Sequence, residues 1–234
     1  MIPHNKIAVL YAPGTNCHKE TIFVLSKIMG INTELVVLGK KGLPKSLNNF
    51  TGLVIPGGFT YGDHFGAGKI AALQIKHYLA DELNDFSAEQ KPILGICNGF
   101  QILTQSGLLP GSLELNNSTR FESRWINLRT SQRGFSLTEK LEGSNMSMPV
   151  AHKEGRFTFR SDELVYPIFY YADDDGNPAT SYPQNPNGST QAIAGICDKT
   201  GCIIGMMPHP ERSAMPHHKS QDGLLVLKTL LKHR

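Results

Sequence analysis

Ile93-Leu94-Gly95-Ile96-Cys97-Asn98-Gly99-Phe100-Gln101-Ile102-Leu103 is the stretch on which the fold turns. Its first four residues form a short apolar run of the kind a buried strand uses, and the spacing from Asn98 to Ser106 predicts a helix that begins with no intervening loop. A strand that turns directly into a helix forces the residue at the corner, Cys97, into a strained backbone conformation. Gly95 and Gly99, two residues to either side, suit that corner because side chains there would strike neighbouring backbone. A cysteine so placed sits at the carboxyl edge of a sheet and at a helix N-terminus that favours its thiolate. The plainer alternative is a buried structural cysteine, since free cysteines are among the most buried residues; the turn alone does not exclude it.

Working outward, the preceding residues repeat the strand-then-helix alternation expected of a parallel sheet with helices on both faces. Ile7 to Leu10 reads as a strand. Thr15 or Asn16 is placed to cap a helix bearing Ile22, Phe23, Leu25 and Ile28 that ends near Gly30. Strands follow at Thr33 to Leu38 and Leu53 to Ile55, and a helix runs from about Ala67 to Leu79. Beyond Gly107 the pattern loosens into an alternating segment, Arg124 to Arg129, and a turn-rich stretch, Asp173 to Ser189. Ala192 to Ile196 and Cys202 to Met206 predict strands joined by a turn at Asp198 to Gly201. Leu224, Leu227 and Leu231 predict a closing helix. The expected fold is α/β, a doubly wound, mostly parallel sheet, and residues 1–234 read as one domain without repeat or linker.

Two further motifs belong at the same sheet edge. In Pro208-His209-Pro210-Glu211 the prolines make the chain extended or turn-like, so His209 and Glu211 project together. An imidazole held by a carboxylate can take the proton of a thiol, with Cys97 as nucleophile, His209 as base and Glu211 as orienting partner. A solvated loop histidine is the alternative for the tetrapeptide alone. Pro56-Gly57-Gly58 directly follows the strand Leu53 to Ile55, and the amides of Gly58 and Asn98 are the expected donors to a developing oxyanion. By itself, a plain β-turn would explain the glycine pair.

Composition narrows the class. The chain has 234 residues, 40% hydrophobic and 18% charged, a compact globular balance rather than a disordered one. A formal charge of +3 without a dense Lys/Arg cluster points to no nucleic acid or anionic membrane. The N-terminal run Met1 to Leu10 does not read as a leader and no stretch is long enough for a membrane span, so a cytoplasmic protein is expected. Four cysteines, Cys17, Cys97, Cys197 and Cys202, are too few for a disulfide scaffold and match no zinc spacing. No metal site is expected, and His217-His218 reads as a solvated loop.

The strand ending in Pro-Gly-Gly, the Gly-x-Cys-x-Gly turn and the late Pro-His-Pro-Glu, in this order, resemble the class I glutamine amidotransferases. Further segments resemble a purine-biosynthetic branch of that family: Pro13 to Cys17, Gly58 to Asp63, Gly95 to Leu103, Arg120 to Trp125, Asn185 to Ser189 and Gly205 to Arg212. The resemblance covers nearly the whole chain and implies a flavodoxin-like fold. It implies that Cys97 attacks the side-chain amide of L-glutamine, that a glutamyl thioester forms, and that Gln101 helps hold the substrate. It implies as partners a large synthetase subunit and a small bridging subunit, with ATP and Mg used by the synthetase and no cofactor bound by this chain, which lacks a phosphate-binding Gly-rich loop ending in Lys-Ser/Thr. The sequence departs from the family pattern at Lys153, where glycine is usual. Rival readings are a glutaminase of another pathway, a stand-alone cysteine hydrolase and a catalytically dead regulatory subunit.

Overall fold

A computed structural model describes residues 5–39, 47–132 and 135–231; the first four residues of the run Met1 to Leu10 lie outside them. Among the described residues there are eleven strands: β1 (Lys6–Tyr11), β2 (Asn32–Val37), β3 (Gly52–Ile55), β4 (Ile93–Ile96), β5 (Ser112–Leu115), β6 (Glu122–Thr130), β7 (Asn145–His152), β8 (Glu154–Thr158), β9 (Tyr166–Ala172), β10 (Ile193–Cys197) and β11 (Ile203–Met206). One nine-stranded sheet has the order β2-β1-β3-β4-β11-β10-β9-β6-β7. The first five are parallel and follow the order 2-1-3-4-5 of the flavodoxin-like doubly wound fold, with β11 as the fifth strand. From β11 onward every pairing in the sheet is antiparallel, so the α/β expectation holds and the sheet is mixed. β5 and β8 form a separate two-stranded ribbon.

The central strands are apolar throughout because both faces are covered. β3, β4 and β11 are buried at every residue, as the continuous hydrophobic runs of parallel sheets require. Helix α1 (His18–Phe23) continues into a π-helical turn, Val24–Ile28, and the chain leaves it at Gly30, whose φ of +70° suits a residue without Cβ. The expected cap is not made. Cys17 occupies the cap position without a side-chain bond, and the Thr15 hydroxyl instead accepts the Ala12 amide at 3.0 Å.

The helix expected over Ala67 to Leu79 is α2 (Lys69–Tyr78), beginning after Gly68 in the left-handed region. The chain bends at Leu79 into α3 (Ala80–Ala88), which the sequence reading missed because only Leu83 and Phe86 are buried along it. β4 and α4 (Asn98–Ser106) have the expected bounds. α5 (Asp222–Leu231) closes the described chain. Among the described residues no helix is long and apolar enough to cross a membrane.

Candidate active site

β3, β4 and β11 are neighbours with aligned carboxyl ends, Ile55 beside Gly95 and Met206 beside Ile96. The segments that follow them, Pro56-Gly57-Gly58, Cys97 and Pro208 to Glu211, are therefore brought to one place. Cys97 has φ 51° and ψ −104°, a conformation that costs on the order of 1–3 kcal/mol and persists only where the surroundings impose it. Its amide donates to the Met206 carbonyl at 2.8 Å, and its own carbonyl accepts the Phe100 and Gln101 amides that start α4. The glycines of the turn are sterically required. A Cβ on Gly99 would lie 1.9 Å from the Ile55 carbonyl oxygen, and one on Gly95 would lie 2.7 Å from the Gly99 carbonyl.

His209 is backed by its amide bond to the Pro149 carbonyl on β7, at 2.9 Å. Its Nδ1 meets Glu211 Oε1 at 2.6 Å, with His209 1% and Glu211 2% exposed. The segment is not extended throughout: Pro210–Arg212 form one short 3-10 turn, with Pro210 at its first position, where a proline loses no helical bond. The turn swings the carboxylate back under the ring. The other ring nitrogen, Nε2, has no hydrogen-bond partner, and neither does Glu211 Oε2.

Burial opposes charge on His209, but the Glu211 carboxylate and the Cys97 and Cys17 thiols overcome it and hold the imidazole well above its ordinary range.

The side chains around Gly57 also require glycine there. A Cβ there would lie 2.8 Å from His209 Cε1, 3.2 Å from Cys17 Sγ and 3.4 Å from Cys97 Cβ, so three functional side chains converge on its α-carbon. Gly58 has φ +150°, and a Cβ there would lie 2.5 Å from the Gly14 carbonyl oxygen and 2.6 Å from the Asn16 amide nitrogen, so no side chain fits. The Asn98 side chain also acts as a tie: its Oδ1 accepts from the Thr60 amide and hydroxyl at 3.2 and 2.9 Å, and its Nδ2 donates to Gln101 Oε1 at 2.8 Å. Gln101 in turn donates to the Glu154 carbonyl at 2.5 Å. The loop after β3, the start of α4 and the β7–β8 turn are thereby locked together.

Four neighbours escaped the sequence reading. The Cys17 amide donates to the Gly57 carbonyl at 3.1 Å, and its sulfur accepts from Arg212 at 3.3 Å, a guanidinium that also pairs with Glu20. His152 is fully buried at the end of β7. The Asn116 amide donates to the Arg120 and His152 carbonyls, so its Oδ1 accepts from His152 Nδ1 at 3.1 Å and leaves His152 Nε2 as a bare lone pair. Burial and the nearby His209 push the His152 imidazole down to about 3. Thr60 and Arg212 complete the set. Lys153 is exposed and is not among the described residues of positive φ, so a side chain fits where the family usually has glycine.

The described residues hold one group suited to a metal: Cys17, His209 and Glu211, all buried, with ligand atoms within 4.8 Å of one another. At His217-His218, by contrast, His218 Nδ1 accepts the Ala214 and Met215 amides at 3.1 and 3.2 Å, which gives that ring a backbone role.

Comparison with known proteins agrees with this geometry. Residues 4–223 match the model of the CobB/CobQ-like glutamine amidotransferase domain. The phosphoribosylformylglycinamidine synthase subunit PurQ of Pyrococcus horikoshii is 40% identical over 228 residues, 97% of each chain. The chain belongs to the PurQ family of glutamine amidotransferases. The PurQ subunit of Aquifex aeolicus is likewise 40% identical, over 97% of this chain and 99% of its own. The solved structure of PurLQS from Thermotoga maritima superposes with a TM-score of 0.82 at 32% identity, over 98% of both chains. The resemblance carried by the sequence motifs is thus borne out at the level of family and fold. The purine-type segments also have a structural place in this glutamine amidotransferase: Asn187 donates to the Gly155 carbonyl at 2.7 Å, and Ser189 accepts the Phe157 amide at 2.9 Å, bracing the ribbon beside the site.

Proposed function

We propose that the chain is the glutaminase subunit of a phosphoribosylformylglycinamidine synthase, hydrolysing L-glutamine to glutamate and ammonia with Cys97, His209 and Glu211 as its triad. The observation that carries this reading is the buried 2.6 Å contact between Glu211 and His209 Nδ1, which leaves the unpartnered Nε2 to serve Cys97. The Cys97 thiol gives its proton to Nε2 and its sulfur bonds to the carboxamide carbon. The amides of Gly58 and Asn98 are suited to the resulting oxyanion, since Asn98 opens α4 and the first helical turn leaves its N–H groups without intrahelical acceptors. Collapse of the tetrahedral adduct breaks the C–N bond, with the proton returned by His209 to the leaving nitrogen, and releases ammonia. Water, deprotonated by His209, then cleaves the glutamyl thioester to glutamate and the free thiol. Gln101, tied to the Glu154 carbonyl, is poised beside that path to orient the substrate.

The ammonia passes to a synthetase subunit, which supplies the ATP and Mg chemistry, with a small bridging subunit in the assembly. The PurLQS structure, whose PurQ-like chain is similar over 98% of this one, supports that arrangement. All four cysteines are free, which suits the reducing cytoplasm. A diazoketone analogue of glutamine tests the nucleophile: it should label Cys97 alone of the four cysteines, and labelling of Cys17, Cys197 or Cys202 in its place would overturn the assignment.

A further inference from the structure

The thiol of Cys17 has no part in the reaction above, yet it lies against the triad. Its sulfur, a ring nitrogen of His209 and a carboxylate oxygen of Glu211 all fall within 4.8 Å of one another, and all three residues are at least 97% buried. Glu211 Oε2, in the same cluster, is buried without a hydrogen-bond partner, an expensive arrangement unless something is bound there. We propose that Cys17, His209 and Glu211 form a binding site for a thiophilic divalent cation, zinc being the representative case, seated inside the triad itself.

The donor chemistry fits that class of ion. Thiolate, imidazole and carboxylate are the ligands of a borderline-soft divalent metal, whereas calcium and magnesium take oxygen sets. Bond lengths near 2.0–2.3 Å with tetrahedral angles place ligand atoms roughly 3.3–3.7 Å apart, so rotations on the order of 1 Å would close the group. A thiolate and a carboxylate around a neutral imidazole balance a divalent charge. Arg212 lies 3.3 Å from the Cys17 sulfur. It already pairs with Glu20 at 2.8 Å and can remain there when the sulfur turns to the metal. A metal on either ring nitrogen would leave Nε2 occupied or protonated and unable to act as a base, so the ion would be a reversible inhibitor. That consequence rests on the proposed function; the binding itself rests only on the three ligands.

Cobalt(II) titration of the full chain tests the site without reference to catalysis. The parent protein should develop a thiolate-to-cobalt charge-transfer band that zinc displaces. Cys17→Ser should lose the band and Glu211→Gln should bind cobalt at least about tenfold more weakly. Absence of the band in the parent, or a band unchanged in Cys17→Ser, would overturn the site. A metal-binding parent that shows no loss of glutaminase activity would leave the site standing and count instead against His209 as the base.

Discussion

At the scale of single residues, the proposed triad gives His209 and Glu211 unequal burdens, and substitution should separate them. His209→Ala removes the base for the thiol and the acid for the leaving ammonia, so glutamine turnover in the assembled enzyme should fall by at least roughly 10²–10⁴-fold. Glu211→Gln keeps a hydrogen bond to Nδ1 but can select the wrong ring tautomer, so kcat should drop clearly while KM changes little. The double variant should be little slower than His209→Ala alone, because the two act as one unit. Additive losses would argue against a triad.

His152 offers an independent check through pH. Its folded value of about 3 lies below the 6.5 of an ordinary histidine, so the unfolded chain takes the proton first. The stabilisation from keeping it neutral is fully present above 6.5 and is lost as pH falls toward 3, at about 1.4 kcal/mol per pH unit for this group. Unfolding free energies of the parent and of His152→Gln, measured from pH 7 to pH 4, should therefore converge with acid. Parallel pH profiles would show that His152 is not held neutral.

At the scale of elements, the seat of α4 against β3 positions the nucleophile. Gly99→Ala would bring a methyl group to 1.9 Å from the Ile55 carbonyl oxygen, backbone that cannot step aside, so helix and strand must part. The overpacking should cost about 1–3 kcal/mol or more and lower Tm by several degrees; an unchanged melting curve would mean that the elbow is looser than described. β4 and α4 were legible in the sequence because a run of buried residues meets a helix at one residue, and local pattern alone decides both. β7 and β9 were not. Each contains a proline, Pro149 and Pro167, which argues against a strand, and β7 accommodates its proline as the outermost strand of the sheet. The residues of the proposed triad are legible because each sits in a short motif whose geometry is local. Cys17, Thr60 and His152 could not, because only the approach of the loops after β1, β3 and β7 gives them neighbours.

At the scale of the whole molecule, the site is assembled from residues as far apart in sequence as Cys17 and Glu211, and it is closed: Cys97 is 5% exposed. The oxyanion donors proposed at the Gly57-Gly58 peptide and at Asn98 can be brought into place by binding of the synthetase. Hydrolysis without a synthetase to receive the ammonia would waste substrate, so the isolated chain should turn over glutamine slowly and accelerate when the synthetase binds. Equal rates for the lone chain and the complex would contradict that gating. The most direct measurement of the central claim compares the two nitrogen sources in the reconstituted complex carrying Cys97→Ala. Synthesis from glutamine should vanish while synthesis from added ammonia persists at the parent rate if, as proposed, the ATP-dependent site lies on another chain; loss of both activities in a complex that still assembles, or survival of the glutamine-dependent one, would contradict it.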